Sequence, residues 1–449
     1  MKYDICQGPV SLTTDDAVSE WNSMVHAFLA HGTATPTHLG AVLKSHPDFA
    51  MGHAARGLFS MMMGRKELVT VAQEAAAAAH RAAGNSAISP RERAWIDALD
   101  HWLSGSLSGA VTEMEKILSQ NPADTLSAKV SHAIRFILGD AHGMRRSIER
   151  VLEAHDEDHP LRGFALGCHA FALEETGDYE NAEKAGRHGL VLVPQDSWGL
   201  HAVTHVYDMT ARSGDGIRMI EDHTSAWDHC NNFRYHVWWH KALLHMDRGE
   251  LDVALGLYDA QIRADKTDDY RDISNATSLL TRLELEGVDV GPRWDELADL
   301  AQNRTEDGCV VFADLHYMLA LTGADRPDAI AEMTDRFARD AACDGEMQSR
   351  YADPGVAALQ GLNAFAEARY DTAFANLAAA RPAMQTIGGS HAQRDVFERL
   401  TIDAGLRAGR YDATETILLD RLDRRAGNAD RYTTSRMETI SRARRIPAQ

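Results

Sequence analysis

Glycine recurs along this chain at intervals that suit a helical repeat. Gly64, Gly105, Gly139, Gly177, Gly214, Gly249, Gly287, Gly323 and Gly409 each separate two stretches whose apolar residues recur at three and four, and Ala368 takes the same place in Ala368-Arg369-Tyr370. Apolar spacing of three and four marks an amphipathic helix. A glycine after it ends the helix, because left-handed backbone costs it no Cβ clash. One unit shows the pattern in full. Phe164 to Leu173 reads as a helix, Thr176-Gly177-Asp178-Tyr179 as a turn, and Glu180 to Val193 as a second helix closed by Pro194. Successive turn positions lie 34 to 45 residues apart, a period that predicts stacked supersecondary units, each packing on its neighbours. The expectation is an all-α solenoid of about ten antiparallel helix pairs, continuous over residues 1–449, with 421–449 as a basic C-terminal capping segment.

Small residues at fixed places explain how the two helices of a pair meet. With the turn residue as position 15, position 8 holds Gly57, Ala98, Ala170, Ala242 and Gly361, and position 20 holds Ala110, Ala182, Ala254 and Ala373. With Trp238 at position 4 and Tyr258 at 24, this resembles the tetratricopeptide pattern, which implies a right-handed superhelix. A closer resemblance runs through Ser89-Pro-Arg-Glu-Arg-Ala-Trp95, Asn121-Pro-Ala-Asp124, Ala170–Tyr179, Trp198–Val206, Trp238-Trp-His240, Tyr258-Asp259 and Arg293-Trp294. In that order and spacing these residues are similar to the tetratricopeptide repeat protein 38 family over roughly residues 50–330. The resemblance implies a long solenoid and carries no catalytic residue set with it.

Charge narrows the partners. The formal net charge is −20, which argues against nucleic acid and anionic membrane as partners, since both require a surplus of Lys and Arg. The end of the chain departs from this: residues 421–449 hold eight Arg against three acids, which offers a route to self-association. The five cysteines are scattered, with no Cys-x-x-Cys, as in a reducing compartment. The first residues, MKYDICQGPV, lack the apolar run of a secretory signal. No apolar run approaches the ~20 residues of a membrane span. The expected location is the cytoplasm.

Histidine carries the sharpest chemical signal. His201 and His205 stand four apart in HAVTH, and His236 and His240 stand four apart in HVWWH. Residues four apart share one helix face. The two pairs are separated by 35 residues, as are Gly214 and Gly249, so the pairs are expected at equivalent places in adjacent repeats. Such a cluster could bind a ligand, hold a divalent metal, or supply acid and base near neutral pH. Asp208, seven residues after His201, is expected on the same face. The tetratricopeptide resemblance places the first helices of each pair along the concave groove, which would bring in His169, Glu174 and Glu175, and later Asp272 and His316. Trp238 is expected in the core and Trp239 along the groove. The zincin glutamate of His-Glu-x-x-His is absent from both pairs, no phosphate-binding glycine loop follows a strand, and no strand is evident.

Two functions fit. In the first, the concave surface binds a peptide or protein partner, the common use of such arrays. In the second, a small polar ligand or substrate sits inside the solenoid at the histidines. No cofactor is expected under either reading; a divalent metal at His201, His205, His236 and His240 is the alternative.

Overall fold

The computed structural model describes residues 1–445 of the 449. Its helices follow in order as α1 Asp15–Leu29, α2 Thr35–Ser45, α3 Ala50–Met62, α4 Lys66–Asn85, α5 Pro90–Leu103, α6 Leu107–Gln120, α7 Thr125–Leu138, α8 Ala141–Leu152, α9 Arg162–Glu174, α10 Tyr179–Leu192, α11 Ser197–Met209 and α12 Ser213–Asp222. Then come α13 Phe233–Asp247, α14 Leu251–Leu257, α15 Tyr270–Leu285, α16 Arg293–Ala301, α17 Val311–Gly323, α18 Pro327–Ala341, α19 Glu346–Arg350, α20 Val356–Ala366, α21 Tyr370–Ala380, α22 His391–Arg407, α23 Tyr411–Arg424 and α24 Arg431–Arg445. The protein is all-α, built of successive helix pairs. The chain forms two compact units: Met1–Val203 with His223–Arg234, and Thr204–Asp222 with Tyr235–Gln449. Among the described residues no helix is long and apolar enough to cross a membrane.

The first unit departs from expectation at its start, where Lys2–Tyr3 pairs antiparallel with Pro9–Val10. Asp4 holds this short hairpin. One carboxylate oxygen accepts from the backbone N–H of Cys6 and of Gly8, and the other from Trp21 Nε1 and Arg91. Behind it the helices pair as α3 with α4, α5 with α6, α7 with α8 and α9 with α10.

In the second unit α15 packs with α16, α17 with α18, α20 with α21, and α22 with α23. The small residues meet as expected: Ala242, Ala254 and Ala373 are fully buried, and a Cβ on Gly361 would lie 2.6 Å from Leu377 of the partner helix α21. Enlarging Ala242 or Ala254 to Leu is therefore expected to lower stability by about 1–3 kcal/mol, read by thermal unfolding; two unchanged midpoints would contradict the register.

Two turn positions need correction. Gly214 lies inside α12, and the left-handed residue of that turn is Ala211 at φ 54°. Gly323 is the last residue of α17, and Asp325, at φ 51°, makes the turn instead. Gly323 serves packing: a Cβ there would lie 2.4 Å from Trp294 Cδ2. With these changes the left-handed residues fall at 211, 249, 287 and 325, a constant 38-residue step.

The C-terminal arginines are mostly spent within their own unit. Arg421 is paired with Asp395 and Asp430, Arg425 with Asp208, Arg431 and Arg436 with Glu286, and Arg444 with Asp412 and Glu415. Residues 446–449 of the expected cap lie outside the described residues.

A buried polar layer in the second unit

Three helices bring polar residues together within the second unit. His205 comes from α11, His236 and His240 from α13, and Asn275, Ser278 and Arg282 from α15. The α13 helix ends cleanly at Gly249, where φ is 78° and Glu250 N–H bonds back to His245. That fixes the rotation of the helix and the face its histidines share. On α15 the residues 275, 278 and 282 follow one face by helical spacing.

The three imidazoles are all interior, exposed by 0% at His205, 9% at His236 and 1% at His240, and a ring nitrogen of each lies within 4.8 Å of the others. Ring centroids are 4.5 Å apart for His205 and His240 and 4.6 Å for His236 and His240. His236 Nδ1 lies 2.8 Å from Asn275 Oδ1, and its Nε2 lies 3.1 Å from His240 Nε2. Nδ1–H donated to Asn275 leaves the lone pair on His236 Nε2, which accepts from His240 Nε2–H. Burial drives the His236 pKa down to about 3, and burial with the neighbouring His205 and His236 holds His240 well below its ordinary value. All the same, burial of neutral imidazoles needs partners, and the order of bonds supplies them here.

Trp239 stacks on His236 at 5.1 Å and packs edge-on to His240. It is fully buried, while Trp238 is half-buried under the ammonium of Lys241. Trp238, expected in the core, is therefore partly exposed, and Trp239, expected along the groove, lies in the interior among the histidines. Arg282 lies 5.5 Å over the Trp239 ring, and its guanidinium donates to the Ala392 carbonyl at 2.7 Å and to Ser278. Burial, with Arg399 and Arg421 nearby, brings its pKa down to about 9, so it remains a cation at neutral pH. It makes no ion pair with any described carboxylate, although its neighbours do. Asp395 is held by Arg399 and Arg421, Asp430 by Arg421, and Asp208 by Arg425. Asp208, Arg282, Asp395, Arg399 and Asp430 line one cleft.

Three N–H donors of this layer are buried without an acceptor: Trp239 Nε1, Asn275 Nδ2 and Arg282 Nε. His316, on α17, donates Nδ1–H to the Phe312 carbonyl at 2.7 Å, packs on Phe397, and keeps an unpartnered Nε2; burial takes its pKa down to about 3.

The other expected site residues are placed as follows. Asp208 joins Arg425 rather than a histidine. Asp272 is buried at the start of α15, bonded to Thr267, with its carboxyl pushed up to about 6 by burial and Asp269. Four belong to the first unit. His201 lies parallel to Phe171 at 5.5 Å and packs on Trp198 and Phe233. His169 approaches Glu149 at 3.8 Å. Glu174 is buried at the end of α9, and Glu175 is its half-buried cap. The equivalence of the two histidine pairs also needs correction. Measured from Ala211 and Gly249, His201 stands ten residues before its turn and His236 thirteen. The three-residue offset is close to one helical turn, so the shared side survives while the level changes.

Sequence reasoning missed Asn275, Arg282 and the neighbouring His391, whose ring centroid is 5.5 Å from that of His205. The one available signal was the Asn275, Ser278, Arg282 spacing, which on an exposed helix would be a solvated face.

No family model matches the chain. Among solved structures, human IFIT1 as a dimer with PPP-AAAA is similar at 13% identity, covering 97% of this chain and 96% of that one, with a TM-score of 0.42. The human IFIT1 dimer with m7Gppp-AAAA gives 14%, 97%, 97% and 0.43. Naa15/Naa10 bound to HypK-THB gives 11% identity, 90% of this chain, 68% of that chain and a TM-score of 0.25. Likenesses this remote carry nothing about ligand or partner.

Proposed function

We propose that this helical-repeat chain is a binding protein that takes a small oxyanion, a phosphate or carboxylate group, into the buried layer of its second unit. The observation that carries this is the surplus of donors: Trp239 Nε1, Asn275 Nδ2 and Arg282 Nε are buried with nothing to accept from them. Each such group costs about 1–3 kcal/mol, more when charged, and an oxyanion would satisfy several at once. Charge supports the same reading. Arg282 is a buried cation with no carboxylate of its own, since Asp395, Asp430 and Asp208 are held by Arg399, Arg421 and Arg425. Donors buried between helices, beside the cleft that Arg282 lines, suit a small ligand better than a peptide laid along an open groove. Kinship with the tetratricopeptide repeat protein 38 family is proposed with it, on the ordered residues from Ser89 to Trp294; a peptide or protein partner and a cytoplasmic setting remain compatible with that kinship.

Arg282→Met separates the alternatives. Removing an unpaired buried charge is expected to raise the unfolding midpoint of the free protein, while abolishing the further rise that orthophosphate or a small carboxylate gives the wild type. A wild type indifferent to every anion tried, or a variant that responds as strongly as the wild type, would contradict the proposal and return the peptide groove to first place.

A further inference from the structure

We infer that His205, His236 and His240 form a three-imidazole site for one divalent transition metal ion of the zinc class. This rests on reading the same layer as a ligand site, and it names the ion that would organise it. Three points of geometry lead there.

The first is spacing. Metal–nitrogen bonds of about 2.0–2.1 Å in a tetrahedral site put neighbouring ligand nitrogens about 3.4 Å apart. His236 Nε2 and His240 Nε2 are already 3.1 Å apart, and a nitrogen of His205 is within 4.8 Å of both, leaving a small ring movement to close the set. The second is the outer partner. A ligating histidine ordinarily donates its other ring N–H to a fixed acceptor, which sets the tautomer and the ring plane. Asn275 Oδ1, 2.8 Å from His236 Nδ1, stands in that place and makes Nε2 the atom turned toward His240; an ion bound there would replace the contact between the two Nε2 atoms. The third is donor type. Three imidazoles, with neither thiolate nor carboxylate among the three, suit zinc, cobalt, nickel or copper, and exclude the oxygen-seeking magnesium and calcium.

Charge ties the ion to the anion. Neutral imidazoles add nothing to a divalent ion, and Arg282 adds a further positive charge beside His240. The fourth position of a three-imidazole site takes water or an anion, and the positive charge favours an anion, for which the unpartnered N–H groups of Trp239, Asn275 and Arg282 would be donors. The ion would therefore strengthen oxyanion binding, and the oxyanion would strengthen retention of the ion, by the reciprocity that couples any two ligands.

The full chain, dialysed against a chelator and then freed of it, is titrated with cobalt(II) and zinc(II), with metal content read by elemental analysis and cobalt geometry by visible absorption. The expected result is one ion per chain, a tetrahedral cobalt spectrum, at least a hundredfold weaker binding in His240→Ala, and a ten- to hundredfold loss in Asn275→Ala. Asn275→Ala keeps all three imidazoles, so it answers the question should His240→Ala fail to fold. Wild-type protein that takes up no cobalt, or a cobalt spectrum and affinity unchanged in both variants, would overturn the inference. The two readings fail separately. Orthophosphate that stabilises metal-free wild type but not Arg282→Met, with no cobalt bound, leaves the anion site and removes the metal; no response to either removes both.

Discussion

Between pH 6.5 and pH 4, the wild type is expected to lose about 3 kcal/mol more stability than a His316→Leu variant. The imidazole of His316 is fully buried, and its pKa is brought down to about 3 by burial. In the unfolded chain the same group takes up its proton near 6.5. Across that window the unfolded state binds more protons than the folded one, so this contribution is complete above about 6.5 and is lost as pH falls toward 3. The comparison with the variant matters because other groups pull the opposite way. The carboxyls of Asp272 and Asp196 are pushed up to about 6 and about 7 by burial, so they oppose folding as pH rises. Those contributions cancel in the difference between two curves of urea unfolding against pH. Parallel curves would show that His316 is protonated in the folded chain.

Arg421→Ala should cost about 3–5 kcal/mol, because it breaks a buried ion network from one side only. Arg421 donates to Asp395 at 2.7 Å, to Asp430 at 2.7 and 2.9 Å, and to Thr433 at 2.7 Å, with Tyr432 beneath it. Its loss leaves Asp430 buried and Asp395 partly buried, each with one cation fewer. Arg410→Ala serves as the contrast. That side chain pairs with Asp371 in full view of solvent, and exposed pairs of this sort contribute little. Thermal unfolding of the two variants should separate them clearly; equal midpoints would mean that the network around the cleft carries no load.

The turns and the crossings were legible because each rests on one local requirement. Gly177 and Gly249 take positive φ where the sequence places a helix end, and Ala242 and Ala254 are buried where a small residue was required. Gly323 misled because glycine also serves close packing, and both Gly214 and Gly323 misled because Ala211 and Asp325 accept left-handed backbone. That error of a few residues hid the offset between the histidine pairs. Trp239 rather than Trp238 is the fully buried one, because adjacent residues on a helix differ by about 100° and a small shift of register changes which is interior. The opposing face of the site was not legible at all. Asn275 and Arg282 follow a spacing that reads as a solvated stripe, and only the packing of α15 among its neighbours buries them.

Selenate is a direct probe for an oxyanion in the layer between α13 and α15. Crystals equilibrated with selenate would be measured at the selenium edge and an anomalous difference map calculated. The expected result is a selenium peak with its oxygens in hydrogen-bond reach of Arg282 Nε, Trp239 Nε1 and Asn275 Nδ2, absent from Arg282→Met crystals. Selenium found on surface arginines alone, with the three donors still unpartnered, would contradict it.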